Sequence, residues 1–177
     1  GCANRCSYCV IPQVRGKPRS IAAAELLASA RELVAAGYPE LVVSGINAGA
    51  WRNGEMRLDS LMEQLARIDG LARLRLSSIE ATGVTPELLE VMRRHAVIGR
   101  HLHLPLQSGD DGVLAAMGRR YDTEVFAAAV SRARELLPEL NLTTDVIVGF
   151  PGEDEAAFHN TRRFAVGRAQ VVTPGTA

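Results

Sequence analysis

The chain has 177 residues, 47% apolar and 23% charged, with 20 basic and 20 acidic side chains. Those values fit one soluble globular domain and exclude a strongly charged tail or a disordered chain. No apolar run approaches the length of a membrane span, and the polar N-terminus is no signal peptide. All three cysteines, Cys2, Cys6 and Cys9, lie in the first nine residues, "GCANRCSYC". An odd count with no distant partner does not make a disulfide framework, which points to a reducing, cytoplasmic setting. Arg5, Arg15, Lys17 and Arg19 follow without an intervening acid, so a small basic patch adjoins the cysteines, either as a solvated loop or as a phosphate-binding surface.

Beyond that loop the pattern alternates between helix and strand. Residues 20–37 read as a helix capped by Ser20 and stopped at Gly37. Residues 40–47, "ELVVSGIN", read as a strand, residues 58–70 as a helix and residues 72–80 as a strand. Residues 85–95 open with Thr85 as cap and Pro86 at the first helical position. A strand over 100–107, a helix over 122–138, a strand over 140–150, a helix over 153–166 and a last short strand over 168–172 complete the series. Strand–helix repetition without a run of hairpins predicts an α/β fold with parallel strands and right-handed crossovers. A complete eight-unit barrel takes about 250 residues, so this length fits a partial (βα) barrel of about five to six units.

Two strands alternate in polarity, unlike strands buried on both faces. His101 and His103 share one face while Leu102, Leu104 and Leu106 share the other; Arg73, Arg75 and Ser77 likewise oppose Leu74 and Leu76. The sheet therefore packs one face on helices and turns a polar face inward, as an open barrel with a site inside would.

The spacing Cys2-x3-Cys6-x2-Cys9 leaves three readings. Tetrahedral zinc wants four ligands, and the nearest histidine in sequence is His95. A four-iron cluster also takes thiolates, and three of them would leave one iron open to a substrate or cofactor. A metal-free redox loop is the third. His101 and His103 suit hydrogen-bonded structural roles better than ligation.

The cysteine motif, with Tyr8 before the last cysteine, resembles the signature of the radical S-adenosylmethionine enzymes. The segments "VVSGIN", "RLRLSSIE", "HLHLPLQSGDDGVLAAMGRRY" and "TTDVIVGFPGE" extend the likeness, in order, to the methylthiotransferase branch, from residue 1 to about Phe158. The "RLSSIE" segment is most similar to enzymes that act on threonylcarbamoyladenosine beside the tRNA anticodon; isopentenyladenosine in tRNA or a ribosomal protein is the alternative substrate. A non-catalytic zinc or electron-transfer module is the alternative of another class.

The resemblance implies a cluster held by Cys2, Cys6 and Cys9, with its open iron chelated by S-adenosylmethionine and cleavage to a 5′-deoxyadenosyl radical. It implies cofactor contacts from Tyr8, Gly45, Asn47, Gln107, Ser108, Asp145 and Gly149. Asn47 stands where the family commonly has Glu. By chemistry alone, Ser108 or Asp110 could equally cap the next helix, and Asp145 could pair with Arg75. The implied partners are tRNA, through the full-length protein, and an electron donor such as a flavodoxin or ferredoxin; the expected state is a monomer. The likeness also implies that residues 1–177 are the central radical domain alone. The first barrel strand, an N-terminal domain with a second cluster and a C-terminal RNA-binding β domain would all lie outside it. Such a chain is expected to bind one cluster and S-adenosylmethionine without completing methylthiolation by itself.

Overall fold

The computed structural model describes residues 1–166 and 170–171. After the cysteine loop comes a short helix α1 (Ile11–Arg15), then α2 (Ala23–Ala35) and β1 (Glu40–Val43). A hairpin of β2 (Arg52–Asn53) and β3 (Met56–Arg57) leads into α3 (Leu58–Leu65) and β4 (Arg73–Leu76). Next are α4 (Pro86–Arg94), β5 (His101–His103), α5 (Asp111–Ala116), α6 (Thr123–Leu136), β6 (Asn141–Thr144), α7 (Glu155–Val166) and β7 (Gln170–Val171). No helix among the described residues is long and apolar enough to cross a membrane.

The large strands pair in parallel, β1 with β4 and β5 with β6 and then β7. Two contacts stitch the halves together: a bridge between Leu74 and Ile98, and a hydrogen bond of 3.0 Å from the Ile79 N–H to the His103 carbonyl. Strand order thus follows chain order, with helices in every crossover, as right-handed parallel connections require. Among the described residues the sheet stays open, a mixed α/β fold in keeping with a partial barrel and not a closed one. Among the described residues β1 pairs only with β4, and an apolar cavity of about 480 Å³ lies beside it, between α2 and the sheet. The strands are shorter than the sequence pattern suggests, and most of the remaining residues of the strands predicted over 40–47, 72–80, 100–107 and 140–150 lie in the segments that follow their carboxyl ends. Of the last predicted strand, residues 168, 169 and 172 lie outside the described residues.

The alternation of polarity holds. Leu74, Leu76, Leu102, Leu104, Leu106 and Leu142 are buried against helices, together with Met62, Leu88, Leu89, Met92 and Phe126. Each such side chain contributes on the order of 1.5–3 kcal/mol by leaving water. The opposite faces of β4 and β5 remain accessible.

Helix starts follow local chemistry at α4 and α6, among others, and tertiary chemistry at α2. Thr85 accepts the Leu88 N–H and Asp122 accepts the Val125 N–H, as cap residues do. Ser20 does not cap α2: its hydroxyl accepts the Arg52 N–H, and the first-turn amide of Ala23 donates instead to Asn53 Oδ1 at 2.8 Å. Asn53 comes from the β2–β3 hairpin, which the strand–helix pattern did not predict. Its signal was the Asn53-Gly54 pair, with Gly54 at φ 60°.

Candidate functional site

Ligands in parallel α/β folds bind beyond the carboxyl ends of the strands. Here those ends carry Ser44–Asn47 after β1, Ser77–Glu80 after β4, Leu104–Ser108 after β5 and Asp145–Gly149 after β6. The cysteine loop is fastened across this end of the sheet. The Asn4 side-chain amide donates to Glu80 Oε1 at 2.8 Å, and Ser7 bonds through its N–H to the Met117 carbonyl and through its hydroxyl to the Ala116 carbonyl. The turn at Gly118 (φ 71°) lies under the loop so closely that a Cβ there would sit 2.9 Å from the Arg5 carbonyl oxygen.

Arg119 ties the same loop electrostatically. Its guanidinium donates to Cys6 Sγ and to the Tyr8 hydroxyl, each at 3.3 Å, and to the Tyr121 hydroxyl at 3.0 Å. It is also paired with Glu80 at 3.0 Å and stacks 4.6 Å from the centre of the Tyr121 ring. Burial pushes the Tyr8 and Tyr121 hydroxyls up to about 12 against the pull of Arg119, so both stay neutral at physiological pH. Burial works against the Arg119 charge, but the two tyrosines, Cys6 and Glu80 hold it protonated.

A cavity of about 230 Å³ opens beside the loop, lined by Cys2, Asn4, Asn47, Glu80 and Arg120 among others. Asn47 donates its amide N–H to Glu80 at 3.3 Å, which leaves its amide oxygen for a ligand. Gly45 is exposed, and a Cβ on it would make only ordinary contact with Ala48. Tyr8, 38% exposed, is not among the residues lining that cavity and accepts from the Arg119 guanidinium. The structure therefore brings Cys2, Asn47 and Glu80 to one cavity, with Cys6 and Tyr8 joined to Glu80 through Arg119.

The other candidates sit differently. Gln107 is half-buried at the end of β5 with φ 68°, the one non-glycine residue of left-handed conformation among those described. Its backbone bridges to β6, accepting the Ile147 N–H and donating to the Asp145 carbonyl. Strain of this kind persists only where surroundings enforce it, and it gathers at functional sites. Ser108 is fully buried: its hydroxyl meets Thr161 of α7 at 3.0 Å and accepts the Asp110 N–H. Gly109 touches α7 as well, where a Cβ would clash with the Thr161 backbone at 2.8 Å. Asp110 caps α5 through the Val113 N–H.

Asp145 is not a buried carboxylate. Its side chain is 61% exposed and pairs with His103 Nε2 at 3.0 Å; Arg75 pairs with Glu40 instead. Thr143 Oγ1 in turn bridges His103 and His101 at 2.9 and 3.0 Å, which gives both histidines hydrogen-bonded roles on the inner face. Gly149 (φ 74°) is exposed, its N–H held by Glu153.

Sequence reasoning missed Glu80 and Arg119. Glu80 had a signal, an acid closing a strand at the carboxyl edge of a parallel sheet. Arg119 had none, because its burial depends on the cysteine loop folding over it from over a hundred residues away.

The three cysteines are free and partly buried. Among the described residues no three His, Cys, Asp or Glu side chains converge enough to hold one metal ion. One zinc needs its sulfurs on a common point, at about 2.3 Å each. A four-iron cluster takes each thiolate on a different iron, so three thiols spread along one loop fit that donor chemistry.

Residues 1–165 match the model of the Radical SAM superfamily. The chain is 44% identical over 169 residues to a threonylcarbamoyladenosine tRNA methylthiotransferase of Bacillus subtilis, covering 93% of this chain and 37% of that protein. It is 42% identical over 161 residues to a tRNA-2-methylthio-N(6)-dimethylallyladenosine synthase of Cereibacter sphaeroides, covering 91% and 37%. The chain thus spans little more than a third of the length of these relatives. Its fold resembles a radical S-adenosylmethionine methyltransferase of Kitasatospora setae, with TM-score 0.74 and 19% identity over 97% of this chain and 34% of that one.

Proposed function

The chain belongs to the Radical SAM superfamily, and from that premise we propose that it forms the cluster-bearing core of a tRNA methylthiotransferase. The observation that carries this is the cysteine loop, pinned by Asn4, Ser7 and Arg119 over the carboxyl ends of the parallel strands. Cys2, Cys6 and Cys9 would hold the cluster, which supplies a low-potential electron to bound S-adenosylmethionine.

The remaining tasks fall to the chain's own groups. The Asn47 amide oxygen, oriented by Glu80, would accept from the methionine ammonium. Exposed Gly45 would let that end of the cofactor approach the backbone. Gln107, Asp145 and Gly149, at the ends of β5 and β6, would take the nucleoside end, and Tyr8 would cover the loop. Ser108 is proposed to serve the same site by fixing the turn after Gln107 against Thr161. The apolar wall of Leu102, Leu104 and Leu142 behind the sheet keeps water from the back of the site.

Among substrates, threonylcarbamoyladenosine in tRNA is favoured by the 44% identical relative, and dimethylallyladenosine in tRNA is the second reading, supported by the 42% identical one. The test is anaerobic reconstitution followed by reduction with dithionite in the presence of S-adenosylmethionine. The expected result is about four irons per chain and release of 5′-deoxyadenosine. Stoichiometric zinc without iron would end the proposal. Assay of the full-length protein on tRNAs carrying each nucleoside decides the substrate.

A further inference from the structure

The geometry points to Arg119 as a positioning residue that raises the reduction potential of the group bound by the cysteine loop, with Glu80 opposing it. This rests on the cluster reading above. Arg119 comes from the turn after α5, and its side chain is only 6% exposed. Its Nη1 donates to the sulfur of Cys6 at 3.3 Å, while Nη2 is shared between the Tyr121 hydroxyl and Glu80 at 3.0 Å each. Its Nε is buried with no hydrogen-bond partner among the described residues.

Stability alone is a poor reason to keep such a group. A buried ion pair gains little over well-packed apolar side chains, and an unpartnered buried N–H costs more still. The arrangement makes sense if the charge acts on what it touches. Adding an electron to a thiolate-bound cluster adds negative charge, and a cationic N–H aimed at a ligand sulfur favours that reduced form. Glu80 places a carboxylate on the other side of the same guanidinium and weakens its field. Tyr121 donates its own hydroxyl proton to the Pro105 carbonyl at 2.6 Å, so it can only accept from Arg119 and holds the guanidinium in place. Two residues on different loops therefore act on one sulfur with opposite sign.

The test is a reductive titration of the anaerobically reconstituted chain, followed by absorbance and by the electron spin signal of the reduced cluster. Arg119→Gln should shift the reduction equilibrium about tenfold toward the oxidised form, which for one electron is ~59 mV lower. Glu80→Gln should shift it the other way, and Arg119→Lys, which keeps the charge, should recover much of the loss. A structural defect would not produce shifts of opposite sign. If Arg119→Gln takes up no iron, Glu80→Gln and Arg119→Lys carry the comparison. Full iron content with unchanged potentials, or a shift of the same sign in both glutamine variants, overturns the role of Arg119 alone. A parent chain that takes up no iron overturns the cluster reading itself, and this inference with it.

Discussion

Replacing Gly118 by Ala tests whether the turn after α5 sets the height of the cysteine loop. Gly118 has φ 71°, and an added Cβ would meet the Arg5 carbonyl oxygen at 2.9 Å and Cys6 Cα at 3.8 Å. Two costs follow. Holding a non-glycine residue in left-handed backbone costs about 1–2 kcal/mol. The contact is with backbone, not with a flexible side chain, so the loop must move, and overpacking of that kind typically costs about 1–3 kcal/mol. Gly54 supplies the control: its φ is 60°, and nothing lies within 4 Å of its would-be Cβ, so Gly54→Ala carries the first cost only. At about 2–4 °C per kcal/mol for a domain of this size, Gly118→Ala should melt roughly 4–20 °C lower than the parent, and Gly54→Ala only about 2–8 °C lower. The assay is thermal unfolding by circular dichroism, with iron content after anaerobic reconstitution measured in parallel. Iron uptake should drop in Gly118→Ala and stay at the parent level in Gly54→Ala. Equal melting temperatures and equal iron contents for the two variants would refute the claim that the loop rests on Gly118.

Two further predictions concern protonation. Asp110 accepts from the Asn160 amide and from the Val113 N–H, and these bonds hold its carboxyl below the usual carboxylate range. Its contribution is complete above an unfolded value near ~3.9 and is lost as pH falls through the lower folded one. Asp110→Ala should cost about 1 kcal/mol in urea unfolding at neutral pH, while Asp110→Asn keeps most of the cap and flattens the acid limb of the stability profile. An unchanged acid limb in Asp110→Asn would contradict this. His101 is pushed down from its ordinary value, first by burial and then by His103 and Arg75. Below an unfolded value near ~6.5 the unfolded chain takes up the proton first, so stability falls with pH until the lower folded pKa is passed. His101→Gln should remove that part of the slope, and a proton NMR titration of the His101 ring at or above ~6.5 would show the reasoning to be wrong.

Much was decided by the sequence alone. Period-two alternation in "RLRL" and "HLHL" assigned the buried leucines and the polar inner face correctly, because side-chain direction in a strand is a local property. Thr85 announced its helix for the same reason: a cap bonds to an amide three residues away. The three cysteines set out a candidate thiolate site within nine residues, since thiolate chemistry is carried by residue type and spacing. Other features depended on groups that meet only after folding. The cap of α2 is Asn53 and not Ser20, because the hairpin reaches the helix start first. Asp145 lies in an apolar stretch yet stands exposed beside His103, since the inner face of an open sheet admits water. Ser108 is buried because α7 packs on the turn that follows β5. Arg119 reaches Cys6 across 113 residues of chain. Local periodicity fixes which face a residue occupies; the partner it finds there, and the charge it feels, are settled only when distant segments are packed together.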